Sequence, residues 1–139
     1  MTPSTPLILR NHIYHKSGRG KTVCVTACLT ALGVPFDSYH YTGGPKDSRR
    51  ESILRKNGYC VRSRMSALGK QKTVGNARKV IRKLADPADT YYLLVVKTGK
   101  RDSHALLLDR QGLTVVDTAP VKVDRRKIIS IKACFKPTH

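Results

Sequence analysis

Apolar positions along this chain change their spacing near Asp86-Pro87. Before that point they recur at helical intervals. Val23, Ala27 and Leu29 to Leu32 form one apolar face, closed by Gly33 and Pro35, since glycine accepts the left-handed cap and proline cannot continue a helix. Lys46 to Asn57 reads as a second helix, entered through Pro45 and left through Gly58, with Ile53 and Leu54 as its strong apolar positions and its arginines in water. Val74, Ala77, Val80, Ile81 and Leu84 predict a third helix over about Val74 to Ala85, with Arg78, Lys79, Arg82 and Lys83 on its opposite face. After Asp86-Pro87 the apolar residues come in short runs. Tyr91 to Val96, Ala105 to Leu108, Leu113 to Val116 and Ile128 to Ala133 read as strands of an antiparallel meander, with turns at Thr98-Gly99-Lys100 and Arg110-Gln111-Gly112.

The earlier part of the chain also holds weaker strand signals, at Leu7 to Tyr14 and Tyr59 to Arg64. Residues 1–6 read as a loose arm, His15 to Thr22 as a basic loop, and Phe36 to Gly44 as a turn-rich connection. No repeat, linker or low-complexity tract interrupts them. Helices first and sheet second predict one α+β domain over residues 1–139.

Charge changes this picture more than size does. Lys plus Arg number 27 against 9 Asp plus Glu, a formal +18. Such an excess predicts attraction to nucleic acid or another acidic partner and says nothing about fold. With 6% aromatic residues and no Trp, stacking on bases is not indicated, so contact would be with the nucleic-acid backbone. No window approaches a membrane span and no exporting segment is visible, so an intracellular, reducing setting is expected, with Cys24, Cys28, Cys60 and Cys134 as free thiols. Their spacing lacks the paired pattern of a zinc site, so neither metal nor cofactor is expected.

Three residues carry the candidate chemistry. Cys24 is expected in the first turn of its helix, where unsatisfied backbone N–H groups, the helix dipole and Lys21 favour thiolate. His104 opens one strand and Asp117 follows its hairpin partner, almost symmetric about the turn. An imidazole beside an acceptor is held in one tautomer, ready to take a proton from a thiol. Packing of the Cys24 helix on this sheet would bring thiol, base and orienting carboxylate together.

Those residues resemble the papain-like cysteine peptidases, in particular small bacteriocin-processing-type enzymes and phage or bacterial relatives. Val23-Cys24-Val25-Thr26-Ala27-Cys28-Leu29 is similar to their Asp-Cys-Gly-x-Ala-Cys-Leu. His104-Ala-Leu-Leu-Leu-Asp-x-x-Gly-x-x-Val-x-Asp117, followed by Pro120, matches the other two motif positions. The resemblance spans about residues 18–120 and implies Cys24 as nucleophile, His104 as general base and Asp117 as the orienting residue. It also implies a nucleophile helix packed on a C-terminal antiparallel sheet, a peptide or protein substrate, and a cytoplasmic or virion setting. The chain departs from the family pattern at Gly18, where a Gln usually donates to the oxyanion, and at Val23 and Val25 beside the cysteine. Loss of such a donor costs about 10²–10³ in rate. Asn11, Ser17 or no residue at all stands in for it.

Two other readings use the same residues. A papain-like fold without catalysis would bind nucleic acid or a protein through its basic surface. Gly20-Lys21-Thr22 with Leu106-Leu107-Leu108-Asp109 also imitates a phosphate loop and a magnesium-holding Asp, although His15 stands where the first glycine belongs.

Overall fold

A computed structural model describes residues 20–34, 47–97, 103–117 and 122–137, with backbone alone at residues 20–24, 26 and 47–49. The expected arm, the strand over 7–14, the connection over 36–44 and the turn at 98–100 lie outside the described residues, as do Asn11, Ser17, Gly18 and Pro120. The chain is α+β: strands β1 (Cys60–Ser63), β2 (Tyr91–Lys97), β3 (Ser103–Leu108), β4 (Thr114–Val116) and β5 (Ile128–Phe135) form one antiparallel sheet, ordered β1-β5-β2-β3-β4. Helices α1 (Gly20–Ala31), α2 (Asp47–Lys56) and α3 (Val74–Ile81) cover it.

Strand alternation sorts the core into two layers. Leu93, Ala105, Leu107 and Val116 pack against Cys28 and Leu29 of α1 and Ile53 and Leu54 of α2. The intervening residues Tyr92, Leu94, Leu106 and Leu108 pack against Val74, Ala77 and Ile81 of α3. Because both faces are covered, β2 and β3 read as continuous apolar runs instead of alternating ones. The expected meander holds for β2-β3-β4 only. The last strand returns to lie between β1 and β2, where it gives β1 its partner.

The helix ends follow from local chemistry. At the exit of α1, Val34 N–H donates to Leu29 O and Gly33 N–H to Thr30 O, the paired bonds that close a helix with a left-handed residue, here Gly33 at φ +82°. The same two bonds close α2 at Gly58 and Tyr59. Thr73 caps α3, its hydroxyl accepting from Asn76 N–H at 3.2 Å. Helix α3 is four residues shorter than its apolar period predicts. Arg110 reaches across from the β3–β4 turn and donates to the carbonyls of Ile81, Leu84 and Asp86. Those carbonyls are satisfied without a further helical turn, and Leu84 still half-buries itself beside the core.

Arginines expected on a solvated face tie the sheet to its helices. Arg78 of α3 donates to Asp124 Oδ1 at 3.0 Å, to Gly112 O at 2.9 Å and to Thr114 Oγ1 at 2.9 Å. Gly112 sits at φ +80°, and a β-carbon there would stand 2.6 Å from Arg78 O. The tip of the β3–β4 hairpin is thereby pressed onto the backbone of α3. On the other face, Lys132 of β5 and Arg55 of α2 meet on Glu51 at 2.9 Å and 2.8 Å. No helix among the described residues is long and apolar enough to cross a membrane.

Candidate active site

Strands β3 and β4 bring His104 and Asp117 together as the hairpin symmetry predicts. Their side chains meet at 2.6 Å between Nε2 and Oδ1, with only 8% and 2% of each exposed. The turn that sets this geometry is built from its own residues. Asp109 Oδ1 accepts from the N–H groups of Gln111 and Leu113 at 2.9 Å each, and Gly112 N–H returns to Asp109 O at 3.0 Å. Engagement of Nε2 by a carboxylate assigns the imidazole's proton exchange to Nδ1, the nitrogen on the other side of the ring.

Asp109 is therefore a turn former. That removes its expected counterpart role in the phosphate-loop reading, and the sheet offers that reading no parallel strand among the described residues.

Cys24 lies on α1, which packs on β3 and β4, the two strands that lead to His104 and Asp117. It stands one turn ahead of Cys28, which is fully buried. Two features differ from the sequence expectation. Helix α1 already runs from Gly20, because no proline stands between Gly20 and the buried Val25, Ala27, Cys28 and Leu29. Cys24 is thus its fifth residue, past the first turn whose N–H groups lack partners and where the dipole acts most strongly. Its N–H belongs to the helical ladder, so it is not an orphan donor for an oxyanion.

The second difference is one of faces. His104 pairs in register with Val96, whose side chain belongs to the α3 layer, whereas α1 covers the Ala105 and Leu107 side. Only Ser103 precedes His104 in β3, so the ring stands at the end of the sheet. The neighbouring rung is irregular as well, since the β2–β5 register shifts between Val95 and Val96. Such shifts sharpen the local twist of a strand. At the opposite end, Tyr59 Oη donates to Leu32 O and fixes the exit of α1 there.

The other cysteines carry free thiols: Cys28 and Cys134 are buried and Cys60 is half-buried. Burial pushes the Cys134 thiol up to about 12, which leaves it protonated and unreactive at neutral pH. Sequence reasoning missed Arg78 and Arg110 as positioning residues for the hairpin. The only signal for Arg78 was its helical position beside Ala77 and Ile81, at the margin of the buried face. Compared with protein-family models, with curated proteins and with solved structures, the chain matches none of them.

Proposed function

We propose that this protein is a cysteine peptidase or related thiol hydrolase of papain-like kind. Cys24 is its nucleophile, His104 its general base and Asp117 the residue that orients the imidazole. The observation that supports the reading is the buried His104–Asp117 hydrogen bond, made through Nε2 at the end of the strands on which the Cys24 helix packs. Nδ1 of His104 takes the thiol proton, and the thiolate attacks a carbonyl carbon. The imidazolium then protonates the leaving amine, and water hydrolyses the acyl-enzyme.

The rate of Cys24 alkylation against pH, mapped by peptide mass, tests this. An ordinary thiol with a pKa near 8.5 is about 0.3% thiolate at pH 6, whereas a thiolate–imidazolium pair is largely ionised there. Native Cys24 should label about 100-fold faster at pH 6 than Cys24 in the His104→Ala variant. An ordinary thiol profile, unchanged by that substitution, would refute catalysis. A second reading, a papain-like protein that has lost its activity and works by binding, is favoured by Gly18 in place of the oxyanion Gln and by the position of Cys24 beyond the first turn of α1. It predicts that ordinary profile.

A further inference from the structure

Among the described residues, most acidic side chains already hold a partner. Asp86 holds Arg64, Asp124 holds Arg78, Glu51 holds Arg55 and Lys132, Asp117 holds His104, and Asp109 closes the hairpin turn. Each such ion pair cancels a cation as well as an acid, so the formal excess of +18 rests on the cations outside these pairs. One part of that cationic surface follows α3 from its entry to its exit. Lys79, Arg82 and Lys83 are exposed along its outer side and exit. At its entry the chain pairs with the segment before β5: Thr73 bridges Lys127, Val74 N–H donates to Arg126 O, and Ile128 N–H donates to Lys72 O. Lys97 N–H in turn donates to Lys127 O, so the exposed Lys72, Lys97 and Lys127 gather where α3 begins. None of these six cations is in an ion pair among the described residues.

We infer that this ridge is a docking surface for the sugar–phosphate backbone of a nucleic acid, bound without sequence reading. The inference does not rest on the thiol chemistry. Helix α3 spans about 12 Å at 1.5 Å per residue, roughly four phosphate steps along one strand. Charge carries this surface. The exposed large apolar side chains of the described residues are Leu113 and Ile129, set on separate elements, whereas a protein interface is built round a buried apolar or aromatic anchor. The ridge also adjoins the candidate site, because Lys97 follows Val96, the register partner of His104. A substrate held on it would be presented beside the His104–Asp117 pair.

Fluorescence anisotropy with a labelled duplex of arbitrary sequence, titrated into the full chain, tests the inference. With about six phosphate contacts, affinity should fall about 10³-fold between about 50 and 200 mM salt. The variant Lys79→Gln/Arg82→Gln/Lys83→Gln keeps about three contacts, and its affinity should fall only about 40-fold over the same range. A control, Lys56→Gln/Arg62→Gln/Lys136→Gln, removes equal charge from exposed positions on α2 and at the far end of β1 and β5. It should keep the native salt slope. Equal effects of the two triple variants would mean that net charge and not the ridge binds, and would overturn the inference. Displacement of the duplex by polyglutamate at equal charge concentration would overturn it in favour of an acidic protein partner. Reactivity of Cys24 bears on neither outcome.

Discussion

Replacing Gly112 by alanine tests how tightly the hairpin that carries Asp117 is fixed. Two costs separate cleanly here. Gly112 sits at φ +80°, where a β-carbon costs about 1–2 kcal/mol from local sterics alone. The added β-carbon would also stand 2.6 Å from Arg78 O, 3.1 Å from Arg78 Cα and 3.2 Å from Arg78 C, all helix backbone that cannot swing aside. The turn must lift off α3, and lifting it breaks the bond from Arg78 to Gly112 O, worth about 1.5–3 kcal/mol for a charged donor. The sum is about 3–5 kcal/mol, a large part of the 5–15 kcal/mol typical of a domain. Gly33 provides the control: its φ is +82° and nothing lies within 4 Å of a built β-carbon, so Gly33→Ala should show the steric cost alone. Urea unfolding followed by circular dichroism measures both. Gly112→Ala should lose about 2 kcal/mol or more beyond Gly33→Ala, and its Cys24 should label more slowly as Asp117 moves away from His104. Equal losses at the two glycines would refute the close seating of the hairpin on α3.

Further predictions follow from the same contacts. Arg110→Ala removes the donor to three carbonyls at the end of α3 and should cost about 2–4 kcal/mol, read as a lower urea midpoint. Burial alone would raise the Asp86 carboxyl, but hydrogen bonds from Arg64 and Tyr92 outweigh it and hold it below its usual value. Its contribution is therefore present above pH 3.8 and lost as pH falls further, and Asp86→Asn should flatten the acid limb of the stability curve. Burial raises Cys134 from 9.0 and Tyr59 from 10.0, each to about 12. Both contributions are complete below pH 9 and decline as pH rises toward 12, so Cys134→Ala should lessen the alkaline loss of stability. Among the three free thiols described, Cys60 should react first with a thiol reagent, and Cys28 and Cys134 only after unfolding.

The sequence made the secondary elements legible because their signals are local. Gly33 and Gly58 mark the helix exits, the period of Val74, Ala77 and Ile81 marks the buried face of α3, and unbroken apolar runs mark β2 and β3. The approach of His104 to Asp117 was also legible from their near-symmetric places about the turn, although the register shift between Leu107 and Leu108 was not. What stayed hidden depends on distant partners. Nothing near Arg78 or Arg110 says that each will spend its guanidinium on backbone carbonyls more than twenty residues away. The return of β5 to the middle of the sheet is equally invisible, because strand order is decided by which edges remain open once β2, β3 and β4 have paired. The start of α1 was misplaced because Gly20 to Thr22 read as loop by residue type, whereas the buried residues behind them draw them into the helix.

That interior position of β5 bears on how the protein is made. Strand β1 has no hydrogen-bonded neighbour except β5, and β2 has one side open until β5 arrives. A nascent chain that has emerged as far as β4 holds a three-stranded hairpin pair with its α3 side covered, but no continuous sheet under α2. Synthesis must carry the chain past Phe135 before the centre of the sheet can close, so this domain cannot complete its fold until β5 has cleared the ribosome. Until then the exposed edge of β2 is a template for pairing with any extended chain nearby. Pulse-labelled chains stalled before β5 should be protease-sensitive throughout residues 47–63, and those stalled after it has cleared the ribosome should not.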